Sequence, residues 1–268
     1  MLYYSIAGNP KNPPLLLLHG FLGSHADFSQ ILPLLSAHFY CITPDLPGHG
    51  STNTALGHYT FVRTAQALVD LLDYLNISKT HALGYSMGGR IALYLTCEFC
   101  DRTEKVILES ASPGLKTAAE RNCRRQQDDL TALSLLKTPL PEFLEQWYNN
   151  PLFANLKRHP DIYAAMLQRR LSNRPTEAAR ALCGLSLGRQ PSLWNKLALF
   201  KSPLLIVVGE LDQKFVAIGK EMFETCRKHQ PQTTLLVFEQ CGHNLHLVAP
   251  NAYANAVVRY LKTGRSLS

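Results

Sequence analysis

The sequence predicts an α/β fold in which helices flank a mostly parallel sheet, and its pattern of apolar residues carries this prediction. Short apolar runs of strand length alternate with longer stretches of helical periodicity toward both ends of the chain. A regular alternation of strand, helix and strand is typical of a parallel sheet wrapped by helices. The predicted strands are residues 15–18, 40–43, 82–85, 105–108, 204–208 and 235–238.

The predicted helices lie between these strands. In the clearest of them, residues 59–75, apolar side chains recur at spacings of three and four. Another helix opens at Met87, directly after the strand at 82–85, and the last two cover about residues 219–228 and 252–261. These stretches supply the helices that wrap the sheet.

The long segment 112–199 interrupts the alternation. It contains no convincing strand and is broken by prolines, so it predicts several short helices. We therefore expect residues 1–111 and 200–268 to form the core and residues 112–199 to form a helical cap. An insertion between consecutive strands lies above the carboxyl ends of the strands, where open α/β sheets bind ligands.

The composition is that of a soluble globular protein. Of 268 residues, 46% are hydrophobic and 18% are charged, which excludes disordered, collagen-like and low-complexity chains. The longest apolar runs are far shorter than the roughly 20 residues that cross a bilayer, so no membrane span is expected. Because residues 1–10 are too polar for a secretion signal, we expect a cytoplasmic protein.

The seven cysteines do not predict a metal site. Only Cys97 and Cys100 form a C-x-x-C pair, in what reads as the middle of a helix. Neither a second pair nor suitably spaced histidines accompany them, so structural thiols are the better interpretation.

The positive charge is concentrated in the segment that predicts the cap. The chain carries a net charge of +7, and residues 112–195 hold nine Arg and three Lys against four Glu and three Asp. These basic residues are scattered among apolar ones and form no run resembling a nucleic-acid arm. The distribution favours a small anionic substrate over nucleic acid, with a merely solvated basic face as the alternative.

A candidate nucleophile lies between a predicted strand and a predicted helix. The segment 84–88, Gly-Tyr-Ser-Met-Gly, fits G-x-S-x-G, in which the serine occupies a strained turn and needs small flanking residues. A serine hydroxyl also needs an imidazole to take its proton and an acid to orient that imidazole. Asp212 follows the strand at 204–208 and His243 follows the strand at 235–238, so both converge with Ser86 at one rim of the sheet.

Sequence position leaves rival assignments open for the acid and the base. Glu210 lies two residues before Asp212, and Glu109 ends an earlier strand from which an acid could also reach the histidine. His246 could replace His243 as the base, although the Gly-His turn favours His243. The predicted triad is therefore Ser86, Asp212 and His243.

The loop after the first buried strand reads as part of an oxyanion hole. It contains His-Gly-Phe at 19–21, and we expect the backbone N–H groups of Phe21 and Met87 to be the two donors. The alternative for this loop is an ordinary glycine turn. His19 and His49 could suggest a metal, but no third ligand lies at a recognisable spacing. Since no metal, nucleotide or flavin motif is present, we expect no cofactor.

Together these segments resemble the α/β-hydrolase superfamily over nearly the whole chain. The resemblance rests on the His-Gly-Phe loop, Pro-Asp-Leu-Pro-Gly-His-Gly-Ser at 44–51, the turn at 84–88, the acid segment 209–212 and Gly-His at 242–243. It implies the α/β-hydrolase fold with a helical cap. It does not fix the reaction, because the same triad serves esterases, carbon–carbon hydrolases and lyases.

Further segments resemble one family of lyases. They are GYSMGGR at 84–90, ESASPGL at 109–115, QWY at 146–148 with PLF at 151–153, and QPSLW at 190–194. They are similar to the MenH family, the 2-succinyl-6-hydroxy-2,4-cyclohexadiene-1-carboxylate synthases of menaquinone biosynthesis. That family eliminates pyruvate from a carboxylate-rich precursor. The alternatives are a carboxylesterase or carbon–carbon bond hydrolase of the same fold, or a relative that only binds a ligand.

The resemblance also implies roles for individual residues. It assigns the triad and the oxyanion donors as above, and it implies that the serine acts as a base rather than as a carbon nucleophile. Phe215 fits the family pattern after the acid. Arg124 matches an Arg-x-x-x-Asp pattern with Asp128, and Arg121 and Arg125 are its rivals. Arg169 is the rival of Arg170. The substrate-binding residues that it implies are Tyr85, Arg90, Arg124, Trp147 and Arg170.

Overall fold

The computed structural model describes residues 1–53 and 59–264. Within them the strands form one seven-stranded sheet in the order β1-β3-β2-β4-β5-β6-β7, parallel except for β1. The predicted fold class is confirmed. The strands are β1 (Tyr4–Ala7), β2 (Pro14–Leu18), β3 (Tyr40–Pro44), β4 (Thr80–Tyr85), β5 (Thr103–Glu109), β6 (Leu204–Gly209) and β7 (Thr234–Phe238).

The edge strand β1 was not predicted from the sequence. It pairs antiparallel with β3, with Ala7 opposite Cys41, and its side chains are only partly buried. Because an edge strand is partly open to solvent, it needs no continuous apolar run, which is the signal that predicted the other six strands.

Helices cover both faces of the sheet. One face packs against α2, α3 and α9, and the opposite face packs against α1 and α11. A separate apolar cluster lies between helices α4 to α7 and includes Leu22 and Leu247 of the core. The helices are α1 (Leu32–Ser36), α2 (Phe61–Tyr74), α3 (Met87–Glu98), α4 (Ala118–Lys137), α5 (Leu140–Tyr148), α6 (Pro160–Arg170), α7 (Pro175–Gly184), α8 (Trp194–Leu197), α9 (Gln213–Cys226), α10 (Leu245–Val248) and α11 (Pro250–Thr263).

Helices α4 to α8 stand between β5 and β6, where the sequence predicted the cap. The expectation of short helices was wrong for α4, which runs for 20 residues. A reciprocal hydrogen-bonded pair starts this helix, because Thr117 accepts from the Glu120 backbone while Glu120 accepts from the Thr117 backbone. The predicted core also includes residues 54–58 and 265–268, which lie outside the described residues.

Two local predictions need correction. The helix expected from residue 219 begins at Gln213, because the Asp212 side chain accepts a hydrogen bond from the Phe215 N–H and caps it. The cysteine pair is not in the middle of a helix: Cys97 is in the last turn of α3 and Cys100 lies beyond its end. In the described part of the chain, no helix has the length and apolar character needed to cross a membrane.

Candidate active site

Ser86 occupies a strained turn between β4 and α3. Its φ of 50° lies in the left-handed region, which costs energy for a residue with a side chain. The flanking glycines make this turn possible. A Cβ on Gly84 would lie 2.4 Å from the Gly88 carbonyl oxygen, and a Cβ on Gly88 would lie 2.1 Å from the Leu18 carbonyl oxygen. The Ser86 N–H donates to the Glu109 carbonyl at 2.8 Å, which ties the turn to the neighbouring strand.

The side chains predicted as the triad form one hydrogen-bonded chain. His243 Nε2 lies 3.1 Å from Ser86 Oγ, and His243 Nδ1 lies 2.6 Å from Asp212 Oδ2. His243 is 2% exposed and Asp212 is 7% exposed. In this arrangement Nδ1–H donates to the carboxylate and Nε2 accepts from the hydroxyl. The three groups can therefore move a proton away from Ser86.

The rival acids and the rival base stand elsewhere. Glu210 is exposed and accepts a hydrogen bond from the Gln240 N–H at 3.0 Å. Glu109 and His246 pair with each other instead, with 2.8 Å between Oε1 and Nδ1, and both side chains are buried. The geometry thus brings the predicted three together, and it joins Glu109 and His246 in a second, buried histidine–carboxylate pair.

The backbone groups expected to bind an oxyanion lie in the same cavity as Ser86. Phe21 and Met87 both line it. Met87 is the first residue of α3, so its N–H has no partner within the helix. This N–H lies at the positive end of the helix dipole. His19 shapes the loop: its Nδ1 donates to the Gly20 carbonyl and its Nε2 accepts from the Leu46 N–H. Burial lowers the pKa of His19, consistent with this neutral form.

The cavity has a volume of about 570 Å³ and lies between the strand ends and helices α4 to α7. Every residue that the sequence analysis assigned to the site lines it except Asp212, which is buried behind His243. Within residues 1–53 and 59–264, no group of three His, Cys, Asp or Glu side chains could hold a metal ion. The lining includes Tyr85, Ser86, Arg90, Arg124, Trp147, Arg170, Phe215 and His243.

Arg90 brings an unneutralised charge to the cavity. It lies one turn after Ser86 on α3, donates to Gln190 Oε1 at 3.2 Å and stacks 5.5 Å from the Phe61 ring centroid. Among the described residues, no carboxylate forms an ion pair with it. Burial, followed by the neighbouring charge of Arg124, lowers the pKa of Arg90 to about 9. A bound anion would relieve both effects.

Arg124 also faces the cavity, but it has an acidic partner. Its Nε donates to Asp128 Oδ1 at 2.8 Å, and Asp128 Oδ2 accepts from the Ser186 hydroxyl at 2.7 Å. The rivals Arg121 and Arg125 do not line the cavity. Arg121 donates to backbone carbonyls at the start of α4, and Arg125 is exposed. The geometry favours Arg124 over both.

Arg170 differs from the expectation of a free carboxylate binder. Its Nη1 and Nη2 donate to the two oxygens of Asp27 at 2.6 and 2.8 Å, and its Nε donates to the Tyr148 hydroxyl at 3.1 Å. Burial alone would lower the pKa of Arg170, but Asp27 raises it overall. Three of the five guanidinium donors are thus used within the protein, and the charge is neutralised. Arg169 lies 3.6 Å from Asp27 and does not line the cavity.

Aromatic rings complete the site. Trp147 packs against Phe21, with 5.2 Å between ring centroids, and the Phe215 ring lies 4.8 Å from that of His243. The Tyr85 hydroxyl accepts a hydrogen bond from Asn244 at 2.6 Å. Sequence reasoning missed three partners, namely Asp27, Gln190 and Asn244. Asn244 carried a signal because it directly follows the predicted base, and Gln190 carried one because it opens the family-like segment 190–194; Asp27 carried none.

Comparisons with known proteins agree with this geometry. The family described as the alpha/beta hydrolase fold matches residues 13–250. The chain is 34% identical to a 2-succinyl-6-hydroxy-2,4-cyclohexadiene-1-carboxylate synthase of Pectobacterium atrosepticum, over 94% of this chain and 95% of that protein. It is 32% identical to protein PHYLLO of Arabidopsis thaliana over 96% of this chain, but it spans only 16% of that protein.

A solved structure is similar over its full length. MenH from S. aureus superposes with a TM-score of 0.92 and 32% identity, and the match covers 98% of this chain and 99% of that one. Both the predicted fold and the predicted resemblance are confirmed. The chain belongs to the alpha/beta hydrolase fold family and, within it, to the 2-succinyl-6-hydroxy-2,4-cyclohexadiene-1-carboxylate synthases.

Proposed function

We propose that this protein is a lyase of menaquinone or phylloquinone biosynthesis. Its substrate would be 2-succinyl-5-enolpyruvyl-6-hydroxy-3-cyclohexene-1-carboxylate, from which it eliminates pyruvate. Family membership supports this reaction, and one observation carries it: the half-buried Arg90, which has no acidic partner among the described residues, stands one helical turn from Ser86 in the same cavity. An arginine without an acidic partner suits a substrate that carries several carboxylates.

The reaction requires a base and a place for negative charge. The substrate has a hydrogen on ring carbon 2, which the adjacent succinyl ketone acidifies. After this proton is removed, the electron pair shifts through the double bond between carbons 3 and 4 and expels the oxygen on carbon 5. Double bonds form between carbons 2 and 3 and between carbons 4 and 5, and the departing enolate takes up a proton to become pyruvate.

We assign the base to the triad. Ser86 Oγ would accept the proton from carbon 2 while its own proton passes to His243 Nε2, 3.1 Å away. Asp212, 2.6 Å from Nδ1, would stabilise the imidazolium. The imidazolium can then return the proton to the pyruvate enolate, so the enzyme ends the cycle unchanged.

The remaining groups would hold charge and position the substrate. The N–H groups of Phe21 and Met87 would donate to the enolate oxygen as its charge develops. Arg90 and Arg124 would bind substrate carboxylates, and Arg170 would contribute the two donors that Asp27 and Tyr148 leave unused. Tyr85 and Trp147 would line the ring-binding space. No added metal or organic cofactor enters this scheme.

We further propose the division of labour between the parts of the chain. Residues 1–111 and 200–268 would act as the catalytic core and residues 112–199 as the cap that closes the cavity.

All seven cysteines are free thiols, which supports a reducing, cytoplasmic location.

The decisive experiment is an assay of pyruvate release. The protein is mixed with freshly generated intermediate, and pyruvate is followed without added metal or nucleotide. We expect pyruvate release well above the spontaneous rate and a loss of that acceleration in Ser86→Ala. Hydrolysis of carboxylesters or carbon–carbon substrates, without pyruvate release from the intermediate, would assign the protein to the hydrolases of this fold.

A second measurement tests the role of the serine as a base. Rapidly quenched turnover mixtures are examined by intact-protein mass spectrometry. Because no covalent intermediate forms in the proposed scheme, we expect no substrate-derived mass on the protein. A mass gain located on the peptide containing Ser86 would mean covalent catalysis.

A further inference from the structure

Two hydrogen bonds side by side join the same two loops at the floor of the cavity. One runs between Ser86 Oγ and His243 Nε2 at 3.1 Å, and the other runs from Asn244 Nδ2 to the Tyr85 hydroxyl at 2.6 Å. The second bond therefore connects the residue before the nucleophile to the residue after the base. Asn244 is 4% exposed and takes no part in the proposed proton transfer.

The direction of the second bond determines what the Tyr85 hydroxyl can do. A phenol has one proton, and an oxygen that accepts from Asn244 keeps that proton for another acceptor. Tyr85 lines the cavity. Burial, reinforced by Glu109, raises the pKa of Tyr85 well above its usual value, so the phenol stays protonated. No hydrogen bond from this hydroxyl to an acceptor is found among residues 1–53 and 59–264, so its proton is available to a group inside the cavity.

The ring of Tyr85 is held by different residues from its hydroxyl. The His246 ring packs 4.6 Å from it, centroid to centroid, and Glu109 fixes His246 through a 2.8 Å hydrogen bond. Both residues of this pair are buried. The buried pair therefore fixes the plane of the phenol, while Asn244 fixes the direction of its hydroxyl proton.

We propose that Asn244 is a positioning residue that turns the Tyr85 hydroxyl into a hydrogen-bond donor for an oxygen of the anionic substrate. Asn244 acts through Tyr85 and does not touch the reacting atoms. This inference rests on the proposed function for the identity of the substrate. Its failure can be told apart from the failure of that function, because the latter abolishes pyruvate release in the wild-type protein as well.

A double-mutant cycle tests the coupling between the two residues. Asn244→Ala, Tyr85→Phe and the double variant are compared by kcat and KM for pyruvate release. We expect each single change to lower kcat/KM by about 10- to 100-fold, the range for a hydrogen bond to a charged group. The double variant should be no worse than Tyr85→Phe alone. Losses that multiply in the double variant would overturn the proposal, because Asn244 would then act without Tyr85.

A carboxylate in place of the amide tests the direction of the bond. In Asn244→Asp the side chain can only accept, so it would capture the Tyr85 proton and withhold it from the substrate. We expect this variant to lose more kcat/KM than Asn244→Ala. An Asn244→Asp enzyme with wild-type kcat/KM would mean that the native asparagine accepts from Tyr85, and the proposal would be wrong.

A serine-directed probe separates this role from simple support of the triad. The rate at which a fluorophosphonate labels Ser86 depends on the Ser86–His243 pair and not on the substrate carboxylates. We expect Asn244→Ala to change that rate by less than about threefold while kcat/KM for pyruvate release falls. A parallel fall in labelling would show that the bond merely holds the two loops together. If Asn244→Ala does not fold, Asn244→Ser takes its place, with thermal unfolding as the criterion for both.

Discussion

The cavity has a floor at the strand ends, which carries Ser86, His243 and Asp212, and a roof of cap helices, which carries Arg124 and Arg170. The two hold their polar groups in opposite ways. On the floor, Ser86, His243 and Asp212 bond to one another, so the partner of each functional group is another functional group. On the roof, Arg124 and Arg170 bond to acids of the protein itself, at 2.8 Å and at 2.6 Å. The floor is thus arranged for proton transfer, whereas the roof uses much of its charge for its own structure.

Arg90 breaks this pattern and shows what the difference means. It belongs to the floor, and no acid neutralises its charge, whereas the charges of the roof arginines are largely neutralised by acids. Its contacts are an amide oxygen of Gln190 and the ring of Phe61 rather than a carboxylate. The number of cationic residues in the cap therefore overstates the positive charge that is available to a substrate in the cavity. Of the three arginines that line the cavity, the one without an acidic partner among the described residues lies beside the nucleophile.

The largest effect is expected on the floor. Ser86→Ala, His243→Ala and Asp212→Asn should each lower kcat by about 10³- to 10⁶-fold, because the three groups act as a unit. The same interdependence predicts that a variant lacking two of them is hardly slower than one lacking Ser86. Pyruvate release at saturating substrate measures the loss, and thermal unfolding checks that the fold persists. Near-normal turnover in Ser86→Ala would refute the triad assignment.

The next effect separates Arg90 from Arg170. Arg90→Ala should lower kcat/KM by about 10- to 1,000-fold, since a charge-assisted hydrogen bond to the substrate is lost, and should leave the melting temperature nearly unchanged. Arg170→Ala should instead remove about 3 to 5 kcal/mol from the free energy of unfolding, because buried Asp27 loses both hydrogen bonds from Arg170 and is left with the more distant Arg169, at 3.6 Å. Activity assays and chemical denaturation of the two variants give both quantities.

The matched control for this pair is a double change. Replacing Asp27 by Asn and Arg170 by Gln together removes both buried charges, so it should recover much of the stability that Arg170→Ala loses. An Arg170→Ala protein as stable as wild type would contradict the view that this arginine is bound up in the structure of the roof.

The floor could be predicted from the sequence because chain order fixes it. Parallel strands end at one rim, so Asp212 after β6 and His243 after β7 had to approach Ser86 after β4. The roof could not be predicted in the same way. Asp27 and Arg170 lie 143 positions apart, and Arg90 and Gln190 lie 100 apart, so these contacts depend on how cap helices pack and not on a local pattern.

The resemblance to a family predicted some of the roof residues that the chain order could not. It named Arg124 and Arg170 as cavity residues, and both line the cavity. The pattern that identified Arg124 included its partner Asp128, but nothing in the resemblance revealed that Asp27 neutralises Arg170. The edge strand β1 was missed for a related reason: its partly exposed side chains form no apolar run.

A smaller effect is expected at Arg124, whose side chain is partly exposed and shares its charge with Asp128. Arg124→Ala should lower kcat/KM by about 3- to 30-fold, less than Arg90→Ala, because the competing carboxylate weakens its hold on the substrate. Arg124→Lys should recover only part, since an ammonium group cannot form the two parallel hydrogen bonds of a guanidinium. Arg125→Ala is the matched control, because Arg125 is exposed on the same helix. Its replacement should leave kcat/KM unchanged. Equal losses of kcat/KM at both positions would mean that the overall positive charge of the helix attracts the substrate, rather than a contact made by Arg124.

The smallest effect is that of salt, and it tests where the free charge lies. Dissolved ions screen exposed charges over about 8 Å at physiological ionic strength, so added salt should lower kcat/KM of the wild-type enzyme by a few-fold. If Arg90 supplies the unneutralised charge, Arg90→Ala should lose most of this salt dependence. Arg170→Ala should respond differently, because removing a neutralised arginine exposes the charge of Asp27 and makes the cavity more negative. Its residual kcat/KM should then rise with salt, as screening reduces the repulsion of the substrate. Measuring kcat/KM against sodium chloride concentration for the three proteins distinguishes these slopes. Identical slopes would mean that the two arginines present the same charge to the substrate and that the contrast between floor and roof does not extend to binding.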